Sequence, residues 1–194
     1  MMNKQLTELI FVLDRSGSMA GLEKDTIGGF NSLVKKQCDL PGKTAVTAIL
    51  FDDEYEVLWE GKDANQVVMT EKEYYVRGMT ALLDAVGKTI LSVGQRLAHT
   101  AEDARPGKVI FVITTDGYEN ASVEFTYDKV KEMIRHQQEK YHWEFLFIGA
   151  NIDAAKEAGQ LGVAEQDACQ YEASPVGVQK MYASVHMKLA EKRT

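Results

Sequence analysis

The strongest constraint on this chain is a run of apolar residues that ends abruptly in an acid. Residues 9–13 carry no polar side chain, Asp14 follows directly, and Ser16 and Ser18 stand at alternating positions after it. A strand that is apolar on both faces is typical of a sheet covered by helices on both sides. In such sheets, ligands bind in the loops beyond the carboxyl ends of the strands. The run therefore predicts a buried strand that delivers one carboxylate and two hydroxyls to a ligand-binding edge.

Further strands predict the topology of the sheet. Strand patterns cover residues 7–13, 44–51, 55–59, 108–114, 143–148 and 168–171. The acidic turn at 52–54 is too short for a parallel crossover, so the second and third strands form an antiparallel hairpin. Strands and helices otherwise alternate. This pattern predicts an α/β, Rossmann-like doubly wound fold, in which a mostly parallel central sheet has one antiparallel edge strand and helices on both faces.

The helices follow from apolar residues at helical spacing. Helical patterns cover residues 22–37, 81–98, 127–140, 152–158 and 175–192, with a short helix near 67–71. Gly28 and Gly29 fall inside the first helix and would let it pass close to the strand or to the site. Gly159 is expected to close the fourth helix.

The composition of the chain excludes several classes of protein. Its 194 residues are enough for one domain, which we expect over residues 1–194. The net charge is −7, and no basic stripe suggests a nucleic-acid surface. No window approaches the run of about 20 apolar residues that spans a membrane, and the residues before position 8 do not resemble a signal peptide. Cys38 and Cys169 are far apart, which predicts free thiols and a cytoplasmic protein.

Two further segments carry chemistry that matches the first loop. Thr80 stands at or just before the start of a predicted helix, and Asp116 follows the buried strand at 108–114. If the strands that end in Asp14 and Asp116 are parallel neighbours, they lie about 4.8 Å apart and their loops leave the same edge. Carboxylates and hydroxyls suit Mg²⁺, Ca²⁺ or Mn²⁺ rather than zinc or copper. Each residue alone has a structural alternative, since Ser and Thr cap helices and Asp-Gly forms turns.

Together these residues resemble the metal-ion-dependent adhesion site of the von Willebrand factor type A domain. The matching segments, in family order, are Asp14-Arg15-Ser16-Gly17-Ser18-Met19, Gly78-Met79-Thr80-Ala81-Leu82 and Thr115-Asp116-Gly117. The resemblance implies a single domain of the small standalone bacterial or phage type. It also implies that the hydroxyls of Ser16, Ser18 and Thr80 ligate a divalent cation. Asp14 and Asp116 would hold that cation directly or through water, and an Asp or Glu of a partner protein would take an open position.

The chemistry of these ligands points to the identity of the cation. Neutral hydroxyls leave a bound cation electrophilic. Carboxylates that act through water orient the water molecules without neutralising the charge of the cation. Mg²⁺ fits best because it keeps several waters and takes few direct carboxylates, while Mn²⁺ and Ca²⁺ stay open.

Residues beside the site are candidates for a partner-binding surface. They are Arg15, Met19, Tyr118, Glu119 and Asn120, although solvated loop positions, or core packing for Met19, are equal alternatives. Arg77 would pair either with an acid of the partner or with Asp84. The resemblance implies a cytoplasmic protein partner, in some relatives within an assembly that contains an AAA+ ATPase. It also implies that the helix from Pro175 can shift between two positions.

Two other functions stay open at this point. A Mg²⁺-dependent hydrolase or phosphotransferase of the haloacid-dehalogenase type also places an Asp after its first strand, but it needs a second carboxylate where this chain has Ser16. The second open function is that of a structural domain whose metal site is vestigial. A P-loop does not fit, because the segments 42–44 and 87–89 lack the opening glycine of that motif. We expect a non-catalytic, metal-dependent protein-binding module rather than an enzyme.

Overall fold

The first strand of the chain lies at the centre of a six-stranded sheet. The computed structural model describes residues 2–194, and Met1 lies outside them. The strands are β1 (Asn3–Asp14), β2 (Lys43–Phe51), β3 (Tyr55–Asp63), β4 (Pro106–Thr115), β5 (Glu144–Ala150) and β6 (Ala168–Tyr171). Their order is β3-β2-β1-β4-β5-β6. All neighbours are parallel except the edge pair of β2 and β3, so the predicted fold class is confirmed.

Five helices cover the two faces of this sheet. They are α1 (Glu23–Cys38), α2 (Leu82–Ala98), α3 (Tyr127–Tyr141), α4 (Ala154–Leu161) and α5 (Pro175–Arg193). Alternate residues of β1 enter two apolar clusters, with Phe11 packing beneath α1 and α5 and Val12 packing against α2, α3 and α4. β1 is uniformly apolar over residues 9–13 because both of its faces are covered. Within the described residues, no helix combines the length and apolar character needed to cross a bilayer.

Several element boundaries differ from the sequence-based expectation. β3 continues to Asp63, past its predicted end at 59, because an edge strand tolerates polar residues. The short helix near 67–71 is wrong: a single helical turn forms at Ala64–Gln66 instead. α4 runs through Gly159 and ends at Gly162, whose φ of +83° suits a residue without a side chain.

Gly29 has a different role from the one expected. A Cβ atom placed on Gly29 would lie 2.2 Å from Cδ2 of Tyr182, which belongs to α5. The same atom placed on Gly28 would meet nothing within 4 Å. Gly29 therefore allows α1 to approach α5, rather than the strand or the candidate site.

Candidate metal centre

Asp14, the last residue of β1, has both carboxylate oxygens engaged at the carboxyl edge of the sheet. Its Oδ1 accepts a hydrogen bond of 2.6 Å from the backbone N–H of Ser16. Its Oδ2 accepts one of 2.7 Å from the hydroxyl of Thr115, the last residue of the neighbouring strand β4. The Tyr74 hydroxyl donates to the Asp14 carbonyl at 2.9 Å. These contacts fix the carboxylate and turn the chain back over the end of the strand.

Asp116 approaches the same point from β4. The Ser18 hydroxyl donates to Asp116 Oδ1 at 2.6 Å, and the Ser16 and Ser18 hydroxyl oxygens lie 3.2 Å apart. Asp116 Oδ2 is buried and has no hydrogen-bond partner in the described part of the chain. A buried polar atom without a partner is unusual, and a bound cation would satisfy this oxygen.

Thr80 reaches the group from the segment that precedes α2. A Cβ atom placed on Gly117 would lie 3.8 Å from both the Ser18 Oγ and the Thr80 Oγ1, so both hydroxyls border Gly117. Thr80 N donates to Asn120 Oδ1 at 2.9 Å, and Asn120 N donates to the Thr80 carbonyl at 3.0 Å. The structure thus brings the side chains of all five predicted cation ligands to one edge of the sheet.

The electrostatics of this group favour a positive ion. Burial raises the pKa of Asp14. Burial, together with the negative charge of Asp14, raises the pKa of Asp116 to about 6, against a smaller opposing effect of the Ser18 hydrogen bond. No set of three or more His, Cys, Asp or Glu side chains within residues 2–194 is placed to hold a metal. The donors here are instead hydroxyls and two acids, which suit a hard divalent cation.

Arg15 does not line a partner surface, and its predicted role is corrected. Its side chain is fully buried, because its guanidinium binds the acids of the β2–β3 hairpin. Nε lies 3.2 Å from Asp52 Oδ2, and Nη1 lies 2.5 Å from Glu56 Oε2. Its positive charge is thus directed away from Asp14 and toward the hairpin.

Arg77 does not pair with Asp84, but with two acids of the β2–β3 hairpin. Its Nε lies 2.7 Å from Asp52 Oδ2, and Nη2 also contacts Glu54. Asp84 accepts instead from the backbone N–H groups of residues 123–125. The acidic turn at 52–54 does more than connect the two strands of the hairpin. Asp52 Oδ1 does accept from Glu54 N at 2.6 Å, but its other oxygen joins the hairpin to Arg15 and Arg77.

The remaining predicted partner contacts divide into inward and outward side chains. Met19 is buried and does not face a partner, because its sulfur packs against the Tyr171 hydroxyl in the core. Glu119 accepts from Leu83 N at 2.9 Å and so holds the start of α2. Asn120 is bonded to Thr80, as described above. Tyr118 is 53% exposed, and its hydroxyl accepts from Asp153 N at 3.3 Å.

Sequence reasoning missed two residues of this region. Tyr74 supports the Asp14 carbonyl from a segment without regular secondary structure, and no sequence pattern marked it. Met79 precedes Thr80 directly and is 55% exposed. Its position inside the second matching segment was the available signal.

Structural comparison finds relatives of the same fold at low sequence identity. One of them is proximal thread matrix protein 1 from the mussel byssus, in a structure with a zinc-occupied MIDAS motif. It has a TM-score of 0.65 at 17% identity, and the match covers 98% of this chain and 47% of the mussel chain. This chain therefore spans about half of that protein. Manganese-loaded TRAP protein from Plasmodium vivax has a TM-score of 0.60 at 17% identity, over 83% of this chain and 64% of its own.

A third neighbour matches over almost its whole length. The vWF domain of the type V pili tip protein Mfa5 from Porphyromonas gingivalis has a TM-score of 0.69 at 11% identity, over 97% of this chain and 96% of its own. A search of curated proteins gave no match. The family model of the von Willebrand factor type A domain matches residues 8–180. Sequence and fold agree, and the chain belongs to the von Willebrand factor type A domain family.

Proposed function

We propose that this protein is a divalent-cation-dependent binding module that captures an acidic side chain of a partner protein. The family match points to a non-enzymatic binding module. The observation that carries the metal-dependent part is the buried Asp116 Oδ2, which lacks a partner beside three hydroxyls and a second carboxylate. A divalent cation would supply the missing positive charge and attract a carboxylate from outside.

Two of the proposed ligands, Asp14 and Thr80, are held in place by hydrogen bonds to residues or groups that are not proposed ligands. Asp14 is oriented by Ser16 N and the Thr115 hydroxyl, so its carboxylate is fixed before a cation arrives. The backbone of Thr80 is bonded in both directions to Asn120. Such preorganised ligands reduce the entropy lost on binding. We therefore assign cation binding to the five residues Asp14, Ser16, Ser18, Thr80 and Asp116.

Mg²⁺ is the cation that we propose for this site. Three neutral hydroxyls and two carboxylates offer few direct negative ligands, which suits an ion that keeps part of its water shell. The mussel protein carries zinc in its MIDAS motif, and the TRAP protein is loaded with manganese. Mn²⁺ is thus the first alternative to compare.

The partner and its setting are further parts of the proposal. The partner is a protein that presents Asp or Glu, and an AAA+ ATPase-associated assembly is a setting that rests on family resemblance alone. Cys38 and Cys169 are both free, which supports a reducing cytoplasmic location. Both apolar clusters pack on one sheet, which supports a single domain over the described residues.

Calorimetric titration of the metal-free protein with MgCl₂ and MnCl₂ tests the proposal. We expect saturable binding to the wild type and a loss of at least about tenfold in affinity for Ser18→Ala, because one ligand is removed. Ser18 is exposed, so the substitution leaves the fold intact. Ser32→Ala, an exposed serine of α1, is the matched control and keeps wild-type affinity. Absence of heat with the wild type, and no rise in Tm at millimolar metal, would indicate a vestigial site and reject the proposal.

A further inference from the structure

Two of the large apolar side chains that are exposed on the ligand-bearing loops lie within two residues of a proposed ligand. Met79, next to Thr80, is 55% exposed, and Tyr118, two residues after Asp116, is 53% exposed. Exposed apolar side chains beside a binding site offer a partner apolar area to bury. We call Met79 and Tyr118 the apolar rim.

Met79 is held through its backbone and Tyr118 through its side chain. Met79 N donates to Asp53 Oδ1 at 3.1 Å. Gly78, with φ of +69°, lies so close to this carboxylate that a Cβ atom there would be 2.0 Å from Asp53 Oδ1. On the other loop, the Tyr118 hydroxyl accepts from Asp153 N at 3.3 Å. The rim is therefore presented by fixed loops, and a partner does not need to order them.

The charges near the rim disfavour a partner with several acids. The three ligand-bearing loops contain three basic residues, which are Arg15, Arg77 and Lys72, and Lys72 stands between Glu71 and Glu73. Arg15 is buried against Asp52 and Glu56, and Arg77 is paired with Asp52 and Glu54. The residues that hold the rim, Asp53 and Asp153, have exposed side chains.

Among these charges, the proposed cation is the place where a negative group of the partner would bind. A second carboxylate of the partner at the rim would meet the exposed acids Asp53 and Asp153, and the protein as a whole carries −7. Glu119 and Asn120, which could have bound polar groups of a partner, point their side-chain oxygens inward.

From this geometry we infer that the partner presents a single Asp or Glu flanked by large apolar side chains, which pack on Met79 and Tyr118. The inference rests on the proposed function, because the flanked carboxylate is the one that the cation attracts. It adds a specificity that the five ligands do not supply, since they would accept any carboxylate.

A phage-displayed library of heptapeptides with a fixed central Glu, panned on the wild-type protein in MgCl₂ and eluted with EDTA, tests the inference. We expect large apolar residues to be enriched beside the Glu, and further acids to be depleted. A synthetic peptide of the enriched sequence should lose about tenfold or more in affinity for Met79→Ser and for Tyr118→Ser, because each removes an apolar contact. Tyr118→Phe keeps the ring and should retain binding.

Controls separate the inference from the function beneath it. Met187→Ser replaces a methionine of α5 that is 65% exposed, and it should bind the peptide as the wild type does. Mg²⁺ affinity should be unchanged in all of these variants, since none is a proposed ligand. If the wild type takes up no Mg²⁺, the proposed function itself fails. If the wild type takes up Mg²⁺ but the library yields no binder that EDTA elutes, the inference is overturned. It is also overturned if the eluted peptides show no preference for apolar residues beside the Glu or are enriched in further acids. Normal peptide binding by the Met79→Ser and Tyr118→Ser variants would overturn it as well.

Discussion

Asp116 carries a stability cost when its carboxylate is ionised and no cation is bound. Its side chain is buried, one oxygen has no partner in the described part of the chain, and the neighbouring Asp14 is also an acid. Its pKa rises from 3.8 to about 6, mainly through burial. The folded chain therefore binds the proton of the Asp116 carboxyl more tightly than the unfolded chain does. The contribution of Asp116 to the free energy of unfolding is full below pH 4 and is lost as the pH rises through about 6. The raised pKa of Asp14 acts in the same direction.

This residue yields a prediction in which stability and function move in opposite directions. In EDTA at pH 8, Asp116→Asn should be more stable than the wild type by about 1–2 kcal/mol, because the buried charge is gone. Between pH 5 and pH 8 its stability should also change less. The same variant should lose Mg²⁺ binding. Thermal and urea unfolding in EDTA at both pH values measure this, and a variant less stable than the wild type at pH 8 would contradict it.

At the scale of elements, the ligand-bearing segment before α2 depends on its neighbours for its shape. Residues 67–81 form no helix or strand, yet they carry Thr80. Arg77 N donates to the Arg15 carbonyl at 2.9 Å, and Ala81 N donates to the Asp52 carbonyl at 2.8 Å. The ion pairs of Asp52 with both arginines reinforce these bonds. The β2–β3 hairpin thus supports a site to which it contributes no proposed ligand.

Two variants of this network should separate folding from binding. Asp52→Ala leaves the buried Arg15 without its nearest fully buried acid and should destabilise the protein by about 3–5 kcal/mol. Arg77 is 40% exposed, so Arg77→Gln should cost less than about 1 kcal/mol. It should nevertheless weaken Mg²⁺ binding, because the Thr80 segment loses a restraint. Chemical denaturation and calorimetry measure the two effects, and unchanged Mg²⁺ affinity in Arg77→Gln would argue against this coupling.

The limits of sequence-based prediction also lie at this scale. The apolar run before Asp14 predicted the central strand, because no other element buries five consecutive apolar residues on two faces. The proposed ligands could be grouped because parallel strands deliver their ends to one edge. The direction of Arg15 could not be predicted, since it depends on Asp52 and Glu56 of a hairpin 37 and 41 residues later. Loop side chains lack the periodicity that identifies the buried faces of helices and strands.

For the whole molecule, the contact between the first and last helices is a sensitive point. Gly29→Ala would place a Cβ atom 2.2 Å from the Tyr182 ring and should destabilise the protein by about 1–3 kcal/mol, since the core has no room for it. Gly28→Ala meets no atom within 4 Å and should be neutral or stabilising by up to about 1 kcal/mol. Urea denaturation of the pair measures the difference, and equal effects would show that α1 and α5 repack freely.

The sheet also determines where the two ends of the described chain lie. Asn3 begins β1 and donates to the Arg105 carbonyl at 2.9 Å, while Lys192, near the end of α5, lies 2.7 Å from Glu144 at the start of β5. Both ends thus lie at the amino edge of the sheet, opposite the loops that hold Asp14 and Asp116. Tethering the protein by either end to a bead, a sensor chip or a fusion partner should leave the cation-binding loops facing outward and accessible.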